Sequence, residues 1–264
     1  MGLTLAWAVG LLAMFAYSAA AWPLASRARW PEAALAVGWL AHAVTLALDV
    51  LGIAAVVPGA RFGFAPAVSA TVWIVLLVHT VESRLLPLPA VRRVLALVGA
   101  AAVLLATVYP GESRPHAGSP WLPLHWLLGV VSYGLLGVAV LHAWLLDAAE
   151  RRLRNHAAPA PPAPGALPLM QLERITFRFV EVGFVVLSTA LLLGAWAAAQ
   201  WRWDHKTVLS LLGWGTFAVL LGGRHWRGWR GRQATRWVYS GAVLLVLAYI
   251  GSRFVLEVIL RRGA

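Results

Sequence analysis

The chain has 264 residues, of which 61% are hydrophobic and only 12% charged, with a mean hydropathy of +0.75. Soluble domains hold about 45–50% apolar and about 25% charged residues, so a soluble fold is excluded; the lack of cysteine also excludes disulfides, thiolate metal sites and a Cys nucleophile. The net charge of +12 does not point to nucleic acid, because the arginines lie between apolar blocks and not along one basic face.

Eight blocks are about as long as the ~20 residues a helix needs to cross the hydrocarbon core. In chain order they are 3–23, 33–53, 66–82, 92–109, 124–146, 177–200, 207–222 and 237–259. This predicts an all-α, polytopic transmembrane bundle forming a single membrane domain over residues 1–264. The first block is apolar from Met1 with no basic leader and no clear cleavage site before Pro23, so it is expected to be a retained span. Loops 24–32, 83–93, 147–178 and 223–236 carry 2, 3, 5 and 5 Lys/Arg, against 7 of the 22 elsewhere. Because Lys and Arg resist translocation, those loops are expected in the cytoplasm, with both termini outside. Residues 155–168 are Pro/Ala-rich and lack a buried face, which reads as a semi-rigid cytoplasmic linker. No internal repeat of the inverted transporter type is visible.

The candidate chemistry gathers in the outer loop between the sixth and seventh blocks, Gln200-Trp201-Arg202-Trp203-Asp204-His205-Lys206-Thr207. Two tryptophans one residue apart do not fit a helical core stripe. They read either as an interfacial aromatic belt or as a platform that stacks a large planar ligand, with Asp204 and Lys206 fixing its polar edge. His125 enters the fifth block on the same outer side, followed by Trp126, Ser132 and Tyr133; imidazole is the commonest protein ligand for haem iron. His42 lies near the middle of the second block, where an ionisable group is costly, and shares a helix face with Thr45 and Asp49. The alternative for His42 is a neutral imidazole satisfied by a neighbouring helix. His79, His142 and His225 lie nearer the cytoplasmic ends, where imidazole reaches water cheaply and structural or snorkelling roles are expected. The turn Gly228-Trp229-Arg230-Gly231-Arg232 reads as a basic lipid contact, and Arg253 with Glu257 as a structural i,i+4 pair. No nucleophile–base pair, carboxylate pair or phosphate-binding loop is present, so no enzyme is expected.

Trp201-Arg202-Trp203-Asp204-His205-Lys206-Thr207 resembles the W-x-W-D-P-K-E tail of the tryptophan-rich motif in the cytochrome c assembly family (CcsA, CcmC and HemX-like proteins). Trp214, Phe217-Ala218 and Gly228-Trp229-Arg230-Gly231 follow in the family's order. Pro168-Leu169-Met170, Leu172-Glu173-Arg174 and Leu247-Ala248-Tyr249-Ile250-Gly251-Ser252-Arg253 look closest to its short, eight-span YpjD-like branch. His125 with Ser132-Tyr133 is similar to the family's H-x6-S-Y entry to a span, and His42 to its early intramembrane histidine. The resemblance implies haem handling on the outer face of a bacterial inner (plasma) membrane during c-type cytochrome maturation. It also implies haem as a transient b-type cofactor, other maturation components as partners, and no nucleic acid. Carried onto this chain, Trp201, Trp203 and Asp204 form the platform, and His125 and His42 are the iron ligands. The chain departs from the pattern at Gly222 and Leu260, where the family has histidines, and at Ala197, where it has tryptophan with Trp196 one place off. His205 stands where the motif has proline and is a substitute ligand candidate. The competing expectations are a non-haem accessory protein that kept the fold and, more remotely, a small-molecule transporter.

Overall fold

A computed structural model describes residues 2–22, 30–53, 60–83, 89–114, 121–154, 169–197 and 203–260. Its helices are α1 (Gly2–Ala20), α2 (Trp30–Val50), α3 (Phe64–Glu82), α4 (Pro89–Val108), α5 (Trp121–Arg154), α6 (Leu169–Ala197), α7 (His205–Arg227) and α8 (Gly231–Ile259). Among the described residues seven of these, α2 to α8, are long and apolar enough to cross a membrane, and α1 contributes a shorter apolar helix, Leu5–Ala20. The expected all-helical, roughly eight-span bundle is what the chain forms. Large apolar side chains such as Phe15, Val185 and Leu192 stay exposed on the helix surfaces. That suits a lipid solvent, in which only structures that satisfy their own backbone hydrogen bonds can span.

The helix ends differ from the apolar blocks for physical reasons. Helix α5 runs 34 residues, about 51 Å at 1.5 Å per residue, well beyond a hydrocarbon core of about 30 Å. Its surplus ends in Arg151, Arg152 and Arg154, cations that complement the C-terminal dipole. Helix α6 begins eight residues before the apolar block, at Leu169, because Gln171, Glu173 and Arg174 are good helix formers although polar. Helix α8 is α-helical through Val246 and then holds two π-helical stretches, Leu247–Gly251 and Val255–Ile259. The sequence reading did not include the short antiparallel ribbon of β1 (Ala60–Phe62) with β2 (Glu112–Arg114), paired Ala60 to Arg114 and Phe62 to Glu112.

The chain divides into two compact units, residues 1–118 with 253–264, and residues 119–252. In the first, Tyr17 of α1 is fully buried, and its ring fills the space that a Cβ would need at Gly38 of α2 and Gly99 of α4. Trp39 of α2 and Trp73 of α3 stack at 4.8 Å, and each indole N–H donates to the other's backbone carbonyl. Asp49 pairs with Arg61 at 3.3 Å. The Phe64 amide donates to Glu257, and Arg253 lies 3.6 Å from Glu112, tying the chain's last turns to the start of α3 and to β2.

In the second unit α5 packs along α6. Leu136, Ala139 and Ala143 meet Phe177, Val180 and Leu187, with Phe217 of α7 and Val238 and Leu245 of α8 closing the core. Leu136 presses so closely on Gly183 that a Cβ there would lie 2.9 Å from it. The expected linker 155–168 lies outside the described residues. The Gly228 turn has an αL backbone, φ 65°, and Trp229 folds back over Gly223 and stacks on Trp237. Beside it Arg224 pairs with Glu173 at 2.8 Å and lies over the Phe177 ring. Arg230 of the basic turn lies 3.9 Å from the same Glu173, so part of the turn's charge is tied into the protein.

Candidate functional site

The second unit gathers most of the predicted site residues at the end where α5 begins, α6 ends and α7 begins. His125 lies in the second turn of α5 and is partly buried. Its Nδ1 is 2.8 Å from the carbonyl oxygen of Ala190 on α6. A carbonyl only accepts, so Nδ1 carries the proton and Nε2 keeps its lone pair. Nε2 makes no hydrogen bond to the described residues. The ring rests on Gly194, where a Cβ would come within 2.7 Å of Cε1 and 3.0 Å of Nδ1. One α6 face thus supplies both an anchor for the imidazole and the gap that admits it.

Tryptophans surround this end. Trp121 and Trp196 meet edge to face at 5.2 Å, both exposed. Trp203 is 72% exposed. Asp204 is the N-cap of α7: its side chain accepts from the Thr207 amide at 2.8 Å. That backbone hydrogen bond, with smaller help from the Lys206 and His205 charges, holds the Asp204 carboxyl below the usual aspartate value. His205 is exposed in the first turn of α7. Lys206 sits 5.2 Å over the Tyr249 ring and is near enough for its charge to act on His125. Trp214 ties α7 to α6, donating to Ser188 at 2.8 Å and stacking on Phe184. Tyr133, one face along from His125 on α5, donates to the Leu245 carbonyl two residues before the π-helical stretch of α8. Trp201 lies outside the described residues.

His42 belongs to the first unit and is different in kind. It is 0% exposed, with Nδ1 3.1 Å from the Tyr17 hydroxyl and Nε2 2.7 Å from the Ser69 hydroxyl. Hydroxyls both donate and accept, so a neutral imidazole is satisfied at both nitrogens. Thr45, expected to extend a polar stripe, donates to the carbonyl of His42 itself. His142, on α5, is buried and stacked at 5.4 Å on Phe179. Among the described residues no three His, Asp or Glu side chains are grouped to hold a metal ion. Sequence reasoning missed Ala190 and Gly194, the seat of His125, and Tyr17 and Ser69, the partners of His42.

Fold and site together define a multi-pass helical membrane protein with an anchored, half-open histidine beside exposed tryptophans at one end of its second unit. The model of the Cytochrome C assembly protein family matches residues 36–260, and the chain belongs to that family. It is similar to Inner membrane protein YpjD of Escherichia coli (strain K12), 36% identical over 160 residues that cover 59% of this chain and 60% of that one. It is also similar to Cytochrome c biogenesis protein CcsA of Synechococcus sp. (strain CC9902), 31% identical over 165 residues covering 52% and 53%. The chain thus spans about three-fifths or less of the length of these relatives. No solved structure matches it. These similarities make it a bacterial inner-membrane protein that crosses the bilayer several times.

Proposed function

We propose that the chain binds haem transiently on the outer face of the inner membrane, with His125 Nε2 as an axial ligand, as a cytochrome c assembly protein that holds and presents the group without making or breaking its bonds. The observation that carries this reading is the Nδ1–H bond of His125 to Ala190. Metal-binding histidines characteristically donate their other ring N–H to a carbonyl or carboxylate, which fixes the tautomer and the ring plane. Haem brings four nitrogen ligands of its own, so the absence of a three-residue metal cluster among the described residues is compatible with it. Haem bound there would supply an iron centre that the His125 imidazole could hold.

The chain's own groups do the remaining work. In this reading exposed Trp203, with Trp201 two positions before it in the sequence, would stack on the macrocycle, and Lys206 would supply a cation for a propionate. Asp204 acts through the backbone, fixing the first turn of α7 and with it the direction of His205, the candidate second ligand. The basic loops support the outer location, because they favour a cytoplasmic position at the opposite helix ends. Maturation components are the natural partners on that side.

His42 would ligate iron only after losing Tyr17 or Ser69. This favours, for the first unit, the second reading of a fold kept without that ligand. The deciding experiment is the visible spectrum of detergent-purified wild type and of His125→Ala, each before and after haem addition. A Soret band that shifts or disappears in the variant supports the proposal; absence of saturable uptake by the wild type would leave a non-haem accessory protein.

A further inference from the structure

Helix α4 turns one face to the interior of the first unit through Leu95, Ala96, Gly99, Val103 and Ala106. The same stripe, continued one turn towards the start of the helix, reaches Arg92. This arginine is only 9% exposed, and among the described residues neither its Nε nor its Nη2 has a hydrogen-bond partner. A guanidinium cannot shed its proton to relieve this, and a buried unpaired charge is strongly unfavourable. The two orphaned nitrogens are not scattered. Nε and Nη2 form one edge of the guanidinium, the edge whose parallel N–H bonds match two oxygens of a phosphate or carboxylate.

The surroundings select among anions. Helix side chains lean towards their own N-terminus, so Arg92, fourth residue of α4, reaches back to the helix start. There the amides of Ala90, Val91 and Arg92 have no partner within the helix. The amides of a helix's first turn and the positive end of its dipole favour an anion, phosphate above all. Helix α4 has 20 residues, about the 30 Å of a hydrocarbon core, so its first turn sits at headgroup depth. The close approach of Leu76 to Gly99 sets the α3–α4 register and brings buried His79 of α3 towards the same end.

We propose that the Nε/Nη2 edge of Arg92 and the N-terminal amides of α4 form a binding site for a phosphate-bearing anion at the end of the first unit where α3 finishes and α4 begins. The phosphate comes from a lipid headgroup or from free phosphate, two sources with one recognition chemistry.

The test uses the full chain, delipidated in an uncharged detergent, and reads its thermal unfolding midpoint. One arm titrates short-chain phosphatidylglycerol against diacylglycerol with the same acyl chains. The other titrates inorganic phosphate against chloride at equal ionic strength. A saturable rise with phosphatidylglycerol alone identifies a lipid, and a rise with inorganic phosphate identifies a soluble source; either supports the site. In Arg92→Gln the half-saturating concentration should increase about tenfold or more, the scale of one charge-assisted hydrogen bond, while Arg93→Gln should respond as wild type. If Arg92→Gln does not fold, Arg92→Lys, which keeps the charge and loses the paired edge, should still show weaker saturation. No response of the wild type to either phosphate source overturns the proposal, as does an unchanged half-saturation in folded Arg92→Gln or in Arg92→Lys.

Discussion

The Nδ1–H of His125 meets the carbonyl of Ala190 at 2.8 Å, across the α5–α6 contact of the second unit. In an α-helix that carbonyl also accepts from the amide of Gly194, one turn on. Gly194 is the residue whose missing side chain leaves room for the imidazole. Anchor and clearance therefore come from one turn of one helix, and the orientation of Nε2 depends on both.

Gly194→Ala separates orientation from ligand identity. The new methyl would sit 2.7 Å from Cε1 of His125, closer than side chains tolerate, so the ring has to turn away. The helix itself gains, since alanine is favoured over glycine by about 1 kcal/mol in a helix interior. We expect Gly194→Ala to fold but to bind haem about 10- to 100-fold more weakly, the range for loss of a metal ligand's supporting contacts. A haem titration followed at the Soret band measures this; wild-type affinity in the alanine variant would mean the seat of His125 is irrelevant to binding.

In the first unit the corresponding experiment reads stability. Ser69→Ala leaves Nε2 of a fully buried His42 without its partner at 2.7 Å, and Tyr17→Phe does the same at Nδ1. An unsatisfied buried polar group costs about 1–3 kcal/mol. Each single variant should lower the unfolding midpoint, and the pair should be less than additive with His42→Leu, because all three act on one network. Haem uptake at His125 should persist in both single variants. If Ser69→Ala leaves stability untouched but alters the Soret band, His42 has an iron to bind after all.

How far the sequence reached can be argued from these same residues. The bundle was legible because every span announces itself by length and hydropathy, signals that depend on the bilayer and not on neighbours. Three-residue strands such as Ala60–Phe62 carry no such period, and the start of α6 at Leu169 rests on helix propensity in polar residues that a hydropathy window passes over. His125 and Asp204 were visible as residues of a motif. Their local roles were not: the N-cap bond of Asp204 to Thr207 is a local pattern, Asp followed three residues later by Thr, and could have been read as a helix start. Ala190 and Gly194 could not, because a carbonyl and an absent Cβ have no side-chain signature, and Tyr17 lies 25 positions from His42.

That N-cap gives the last expectation. The Thr207 amide stabilises the charged form of Asp204 and holds its carboxyl below the ordinary value of 3.8. For a carboxyl lowered by folding, the contribution to stability is complete above the ordinary value and is lost as pH falls through the lower folded one. The first turn of α7, which carries His205 and Lys206, should therefore hold from neutral pH down to about the ordinary aspartate range and loosen only in stronger acid. Asp204→Asn keeps a capping oxygen without the titration, whereas Asp204→Ala removes the cap at about 1 kcal/mol. Amide hydrogen exchange at Thr207, followed against pH, distinguishes the three: protected until strong acid in the wild type, pH-independent in Asn, and open at neutral pH in Ala. If Asp204→Ala leaves Thr207 protected, the aspartate of the motif is free of this structural duty, and its place beside Trp203 is better explained by direct contact with the ligand.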